Sequence, residues 1–450
     1  MAEPEVPPAG LRFGTDGIRG RAGTRIVDPV VRALGRSAAD LLDSDRVFLG
    51  RDTRESGPGL SRALAEGFAA GGLEVVQMGV VPTPAVAHAA ALEGAAAAMV
   101  TASHNPWWDN GVKLFSAGGL KLDDAQQAAI QAAWDALPEL EGSPGLEGWS
   151  DDPSTDAVHR WVDAVVGSVR PAALAGLAVV VDCANGATSA IAGPALERLG
   201  ADVTVIHSEP DGRNINDACG STQPAALQAA VTAIGADAGL AFDGDADRVF
   251  LVDEQARPVS GSTTTALVAS GVLRREPGAT VLHNLICSKA VPEVIAECGG
   301  RAVRTRVGHS IIKQAMVEEG AVFAGEHSGH YYFRDNYRAD SGLIAALVVL
   351  EALSASDLPL SGLLAPFDRY AASGEMNTTV ADPAAVIEFV AGHYPDEAQD
   401  RLDGLTVDFG DWWFNLRPSN TEPLLRLNVE AADDDACAAR AAEVQALIDQ

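Results

Sequence analysis

Apolar positions recur at a helical period, break at a pair of small residues and resume as a β-branched run at three places: GFAAGGLEVVQM (67–78), ALERLGADVTVI (195–206) and VIAECGGRAVRT (294–305). Each reads as a helix returning into a strand. The pairs Gly71-Gly72, Gly200-Ala201 and Gly299-Gly300 suit a left-handed helix C-cap, and Val75, Val203 and Val303 begin the strands that follow. A helix bearing Leu60, Leu64 and Phe68 at four-residue spacing, and the apolar run LAVVVD (177–182) of a strand buried on both faces, belong to the same design. Beyond Ala372 the pattern changes. TVDFGDWWFNLRP and LLRLNVEA read as strands, and a helix is predicted from Asp433 to the end. The expected fold class is therefore α/β: three similar α/β domains with mixed sheets plus a smaller C-terminal α+β domain. The polar stretch ELEGSPGLEGWSDDPST and the turns VDEQARPVSG and ASGEMN place the divisions at 1–150, 151–257, 258–372 and 373–450.

Composition narrows the partners. At 450 residues the chain exceeds what one core serves, and 47% apolar with 21% charged residues is a globular balance. A formal net charge of −30 repels nucleic acid and anionic lipid, so neither is expected as a partner. A small anionic substrate would need a local cluster of cations and backbone N–H groups to reverse that field. Five scattered cysteines give neither a disulfide framework nor a zinc spacing, the opening MAEPEVPPAG is no signal peptide, and no apolar run reads as a membrane span; a cytoplasmic protein is expected. Oligomeric state, monomer or homodimer, is left open.

Four segments carry candidate chemistry. In MVTASHNPWWDNGVKLF a buried strand runs into a polar turn with Ser103, His104 and Asn105, closed by Pro106. A serine is a weak nucleophile until a base or metal activates it, so partners must come from elsewhere. LAFDGDADRVFLVD alternates Asp243, Asp245 and Asp247. In a straight strand such carboxylates stand roughly 7 Å apart, too far to share one ion, so the loop is expected to curl, with Gly244 permitting it. Hard oxygen ligands suit Mg²⁺, and Arg248 stands ready to contact a phosphate held there. An EF-hand calcium loop fails, because Arg248 occupies the obligatory glycine position and the flanks read as strands. RPSNTEP (417–423) gathers Arg417, Ser419, Asn420 and Thr421 in a turn, which is phosphate-binding chemistry. VFAGEHSGHYYF sets Glu326, His327, Ser328 and His330 between apolar strands, where Glu and Ser can hydrogen-bond vicinal sugar hydroxyls. An Mg²⁺-dependent phosphatase using Asp243 would leave Ser103 and the distant 417–423 turn without work.

With these four segments in this order, the sequence resembles the α-D-phosphohexomutase superfamily over nearly its whole length. The resemblance implies four domains around a central cleft, each giving one loop to the active site. It implies an intramolecular phosphotransferase (an isomerase) that interconverts hexose 1- and 6-phosphates through phosphorylated Ser103, with a bisphosphorylated hexose as intermediate and activator. It makes Asp243, Asp245 and Asp247 the Mg²⁺ ligands, with phospho-Ser103 completing the set. Arg417, Ser419, Asn420 and Thr421 become the distal phosphate clamp, Arg248 a second phosphate contact, and Glu326 and Ser328 the sugar-hydroxyl readers. Arg19, in FGTDGIRG, matches an arginine near the phosphoserine and its neighbour His104; Lys113 and His330 match groups proposed for proton transfer.

The halves of the chain point to different sugars. FGTDGIRG, ASHNPWWDNGVKLF and NINDACGSTQPAAL look like phosphoglucosamine mutases, whereas HNLICSKAVPE, RVGHSIIKQAM, GEHSGHYYFRDNYRADSGLIAAL and RPSNTEPLLRLNVEA look like phosphomannomutase/phosphoglucomutases. His327 stands where phosphoglucosamine mutases usually have glutamine, and Asn420 where they have glycine. Because the back half reads the sugar and the distal phosphate, the phosphomannomutase/phosphoglucomutase type is the first expectation and phosphoglucosamine mutase the alternative.

Overall fold

The computed structural model describes residues 11–14, 16–137, 146, 155–419 and 424–450. Three sheets share one plan. In the first, Arg46–Arg51 lies between parallel neighbours Glu74–Val80 and Ala96–Val100; Asp109–Phe115 then runs antiparallel to Ala96–Val100, and Ile18–Arg21 closes the edge. In the second, Ala178–Asp182 lies between Asp202–Ile206 and Ala238–Phe242, with Val249–Asp253 antiparallel to the latter. In the third, Thr280–Asn284 lies between Arg301–Thr305 and Phe323–Gly325, followed by antiparallel Tyr331–Phe333. The mixed sheets and the α/β class agree with the sequence.

The three helix-to-strand returns form as the pattern requires. Gly72, Gly200 and Gly299 take φ of 89°, 94° and 75°, a region that costs glycine little. The strands begin one or two residues before Val75, Val203 and Val303, at Glu74, Asp202 and Arg301. The second sheet gains a short strand, Pro258–Val259, so it extends past residue 257. Ala371–Ala372 pairs with the last sheet. The division near residue 150 lies outside the described residues. The tail is an antiparallel sheet built around Trp413–Pro418 and Leu424–Ala431, with helices Pro383–His393 and Asp434–Ile448 contributing to its core. Among the described residues no helix is long and apolar enough to cross a membrane, and all five cysteines are free thiols.

His283 lies buried on the central strand of the third sheet. Burial pushes its pKa down to about 4, against about 6.5 in an unfolded chain. Between those values the unfolded chain binds more protons, so stability rises with pH there and falls on acidification. Replacing it by His283→Leu should remove about 2 kcal/mol of the stability lost between pH 7.5 and 5, as read from urea unfolding at the two pH values.

Candidate active site

The turn joining the last parallel strand to its antiparallel partner carries the polar segment in all three sheets: 101–108 in the first, 243–248 in the second and 326–330 in the third. Ser103 is fully buried with φ of 51°, a left-handed conformation for a non-glycine residue. Its Oγ donates to Asp243 Oδ2 at 2.6 Å, across two sheets, and lies 3.3 Å from His104 Nδ1. Burial, then Arg248 and Arg19, push the His104 pKa down to about 3, so its imidazole is neutral.

What holds the serine turn is a residue that the sequence reading does not single out. Arg54 is completely buried; its Nε donates to Asp52 Oδ2 at 2.9 Å, and Nη2 donates to the carbonyls of Ser103 and Asn105 at 2.8 and 2.9 Å. Nη1 donates to the carbonyls of Pro106 and, at 3.0 Å, Asp109. Asn216 Nδ2 adds bonds to the Ser103 and Asn105 carbonyls, and Asp52 accepts from Thr101 Oγ1, which in turn accepts the Ser103 N–H at 2.8 Å. The only signal for Arg54 in the sequence is a run of charges, RDTRE, after an apolar strand, and such runs are ordinarily solvated.

The 243–248 loop curls as its carboxylates demand, but Gly244 is not what allows it. The left-handed residue is Ala246, at φ of 58°. Gly244 is needed for close approach: a Cβ there would lie 2.7 Å from the Ser103 carbonyl oxygen and 2.9 Å from Asn216 Nδ2. Asp243, Asp245 and Asp247 are all fully buried, with one oxygen of each within 4.8 Å of the others. Burial and the two neighbouring carboxylates push the Asp243 pKa up to about 8. Asp247 is held low by Lys113 and His330 despite its burial. Among the described residues, Asp245 Oδ1 and Asp247 Oδ1 are buried and have no hydrogen-bond partner. Buried hard oxygens without donors fit a divalent cation.

Around this cluster the remaining residues take their places. Lys113 Nζ lies 2.9, 2.8 and 2.7 Å from Asp16, Asp245 and Asp247, and these carboxylates raise its pKa well above the usual value against the effect of burial. Arg19 pairs with Asp16, which Lys121 also holds at 2.5 Å. Arg248 Nε stands 3.9 Å from both Asp243 and Asp247, and its backbone bridges to His330. His330 Nδ1 meets Asp340 at 3.1 Å, and Lys313, also buried, meets the other oxygen of Asp340 at 3.1 Å. Glu326 accepts from Asn284 Nδ2 at 3.0 Å and Tyr332 Oη at 2.6 Å, while His327 Nδ1 lies 3.1 Å from the same Asn284 amide nitrogen. Ser328 is half-buried beside it. In the tail, Arg417 is buried and pairs with Glu375 at 2.9 Å; Glu375 also meets Arg426 at 3.4 Å. The Ser419 N–H donates to the Leu424 carbonyl at 2.9 Å. Asn420 and Thr421 lie outside the described residues.

Four family models match in order: the phosphoglucomutase/phosphomannomutase α/β/α domains I, II and III over 10–140, 159–257 and 260–370, and the C-terminal domain over 375–447. The chain belongs to the α-D-phosphohexomutase superfamily. Members of this superfamily are isomerases of the intramolecular phosphotransferase type, and this phosphohexomutase is one of them. It is 39% identical to the phosphoglucosamine mutase of Moorella thermoacetica over 94% of this chain and 96% of that one. The phosphoglucosamine mutase of Halorhodospira halophila is 41% identical, with 94% and 93% covered. A crystal structure of a phosphoglucomutase/phosphomannomutase family protein from Burkholderia thailandensis superposes with a TM-score of 0.84 at 30% identity, covering 100% of this chain and 98% of that one. The curated relatives thus agree with the front half of this phosphohexomutase, and back the alternative sugar assignment better than the first expectation.

Proposed function

We propose that this phosphohexomutase interconverts glucosamine 6-phosphate and glucosamine 1-phosphate, through a phosphorylated Ser103 and with Mg²⁺ at Asp243, Asp245 and Asp247. The observation that carries the mechanism is the 2.6 Å contact between Ser103 Oγ and Asp243 Oδ2, which sets a hydroxyl directly on a buried three-carboxylate cluster. Bound there, the cation would supply Lewis-acid stabilisation of phosphoryl oxygens.

In the first half-reaction the bond from Ser103 Oγ to phosphorus breaks and one to the sugar O6 or O1 forms. The sugar hydroxyl gives up its proton, for which His330 is the acceptor we assign, and the departing Ser103 Oγ takes one up from solvent, so no net proton is gained or lost. The bisphosphorylated hexose then turns over in the cleft, and its other phosphate returns to Ser103. Arg19 and Arg248 supply positive charge beside the serine, and neutral His104 adds a hydrogen-bonding group near Oγ. Glu326 and Ser328 hold the C3 and C4 hydroxyls, which every candidate hexose shares, while Arg417 and Ser419, with Asn420 and Thr421, clamp the phosphate that is not reacting.

The identities to phosphoglucosamine mutases along almost the full chain support the sugar. A kinetic panel of glucosamine, mannose, glucose and N-acetylglucosamine 1-phosphates tests it. Glucosamine 1-phosphate should show the highest kcat/KM, by about tenfold or more over the neutral sugars, since a buried ammonium left unpaired is costly and a site built for it discriminates. Preference for mannose or glucose 1-phosphate would return the enzyme to the phosphomannomutase/phosphoglucomutase type.

A further inference from the structure

The carboxylate cluster that would hold the cation already has one. Lys113 is 2% exposed, on the strand Asp109–Phe115 of the first sheet, and its ammonium reaches across to the second unit's loop. It lies 2.8 Å from Asp245 Oδ2 and 2.7 Å from Asp247 Oδ2. Thr83, also buried and from the first unit, donates its Oγ1 to Asp245 Oδ2 at 2.5 Å and its N–H to the Asp245 carbonyl at 2.9 Å. Both Oδ2 atoms are thus occupied by first-unit donors, while both Oδ1 atoms are buried without a hydrogen-bond partner among the described residues.

We propose that Lys113 is a built-in counter-cation of the metal site. It keeps the carboxylates compatible with burial when no divalent ion is present, and by repulsion it sets the affinity for that ion low enough to be adjusted. Without the ammonium, Asp245 and Asp247 would keep, among the described residues, only the more distant Arg248 and His330 as positive partners, which would weaken the interface between the first two units. An ammonium sharing two carboxylates with a divalent ion would repel that ion, so removing the lysine should raise the ion's affinity. Thr83 keeps Asp245 turned so that its Oδ1 remains available. The inference rests on the metal reading above, and it gives Lys113 a role other than the proton transfer that the family resemblance implies.

The test is calorimetric titration of the dephosphorylated full-length enzyme with Mg²⁺, paired with melting curves in EDTA and in saturating Mg²⁺. Lys113→Met should bind Mg²⁺ at least about tenfold more tightly than the unaltered enzyme. It should melt several degrees lower in EDTA, with the gap narrowing as Mg²⁺ is added. Lys113→Arg, which keeps the charge, should restore the weaker affinity. Should Lys113→Met fail to fold, the double variant Lys113→Met/Asp16→Asn removes one charge of each sign and should still bind Mg²⁺ more tightly. Unchanged or weaker Mg²⁺ binding in a folded charge-removing variant, with loss of turnover alone, would overturn the counter-cation role and return Lys113 to proton transfer. If the unaltered enzyme takes up no Mg²⁺ at all, the metal reading itself falls, and this one with it.

Discussion

Ser103→Ala should reduce kcat by at least about 10³-fold and abolish the single phosphate that intact-mass analysis finds on the serine peptide of active enzyme. Ser103 Oγ is the hydroxyl held on Asp243, at 2.6 Å, and its neighbour His104 is 3.3 Å from it. The substitution should leave folding nearly intact, because it removes one side-chain hydrogen bond worth about 1 kcal/mol and the left-handed backbone is set by the loop and not by the hydroxyl. Retention of full turnover by Ser103→Ala would rule out a phosphoserine mechanism. Phosphate release without isomerisation would mark a phosphatase.

The second large effect is expected at Arg54, which touches no substrate in this scheme. Its guanidinium is the common donor for the carbonyls of Ser103, Asn105, Pro106 and Asp109, so the loop wraps around it. An ammonium cannot reproduce a planar fork reaching all of these acceptors at once. Arg54→Lys should therefore leave buried carbonyls unpaired and Asp52 only partly compensated, lowering the melting temperature and reducing kcat by about 10²-fold while KM changes little. Transfer of label from a bisphosphorylated hexose to the protein should slow in parallel. A variant that folds and phosphorylates Ser103 at the normal rate would mean that the loop holds its shape unaided.

Much of this was legible in the residues. The three helix-to-strand returns and the capping glycines follow from local pattern and backbone chemistry, which need no partner to be read. So does the curling of 243–248, because like charges and ligand distances compel it. What escaped depends on contacts distant in sequence. Arg54 meets Ser103 49 residues away and Lys113 meets Asp247 134 residues away, and nothing in RDTRE or NGVKLF distinguishes a buried charge from a solvated one. Gly244 was legible as a special position but not for its reason, since the close approach it permits is to another domain's carbonyl. In the tail, the helix Pro383–His393 carried start signals, a capping Asp382 followed by Pro383, that the strand-rich reading of that segment passed over. The sugar is not legible for a different reason: the motifs of the back half, which reads the sugar and the distal phosphate, point one way, while identity over the whole chain follows phosphoglucosamine mutases.

The three polar turns share one position. Each turn hangs between two strands whose register is fixed by their hydrogen bonding to each other, so the sheet acts as a socket for the turn. The first turn and the strand after it also meet the second turn, Ser103 Oγ on Asp243 and Lys113 on Asp245 and Asp247, so a change in one is felt by the other. Three different chemistries, a serine, a trio of carboxylates and a glutamate–histidine pair, are thus presented from one repeated frame.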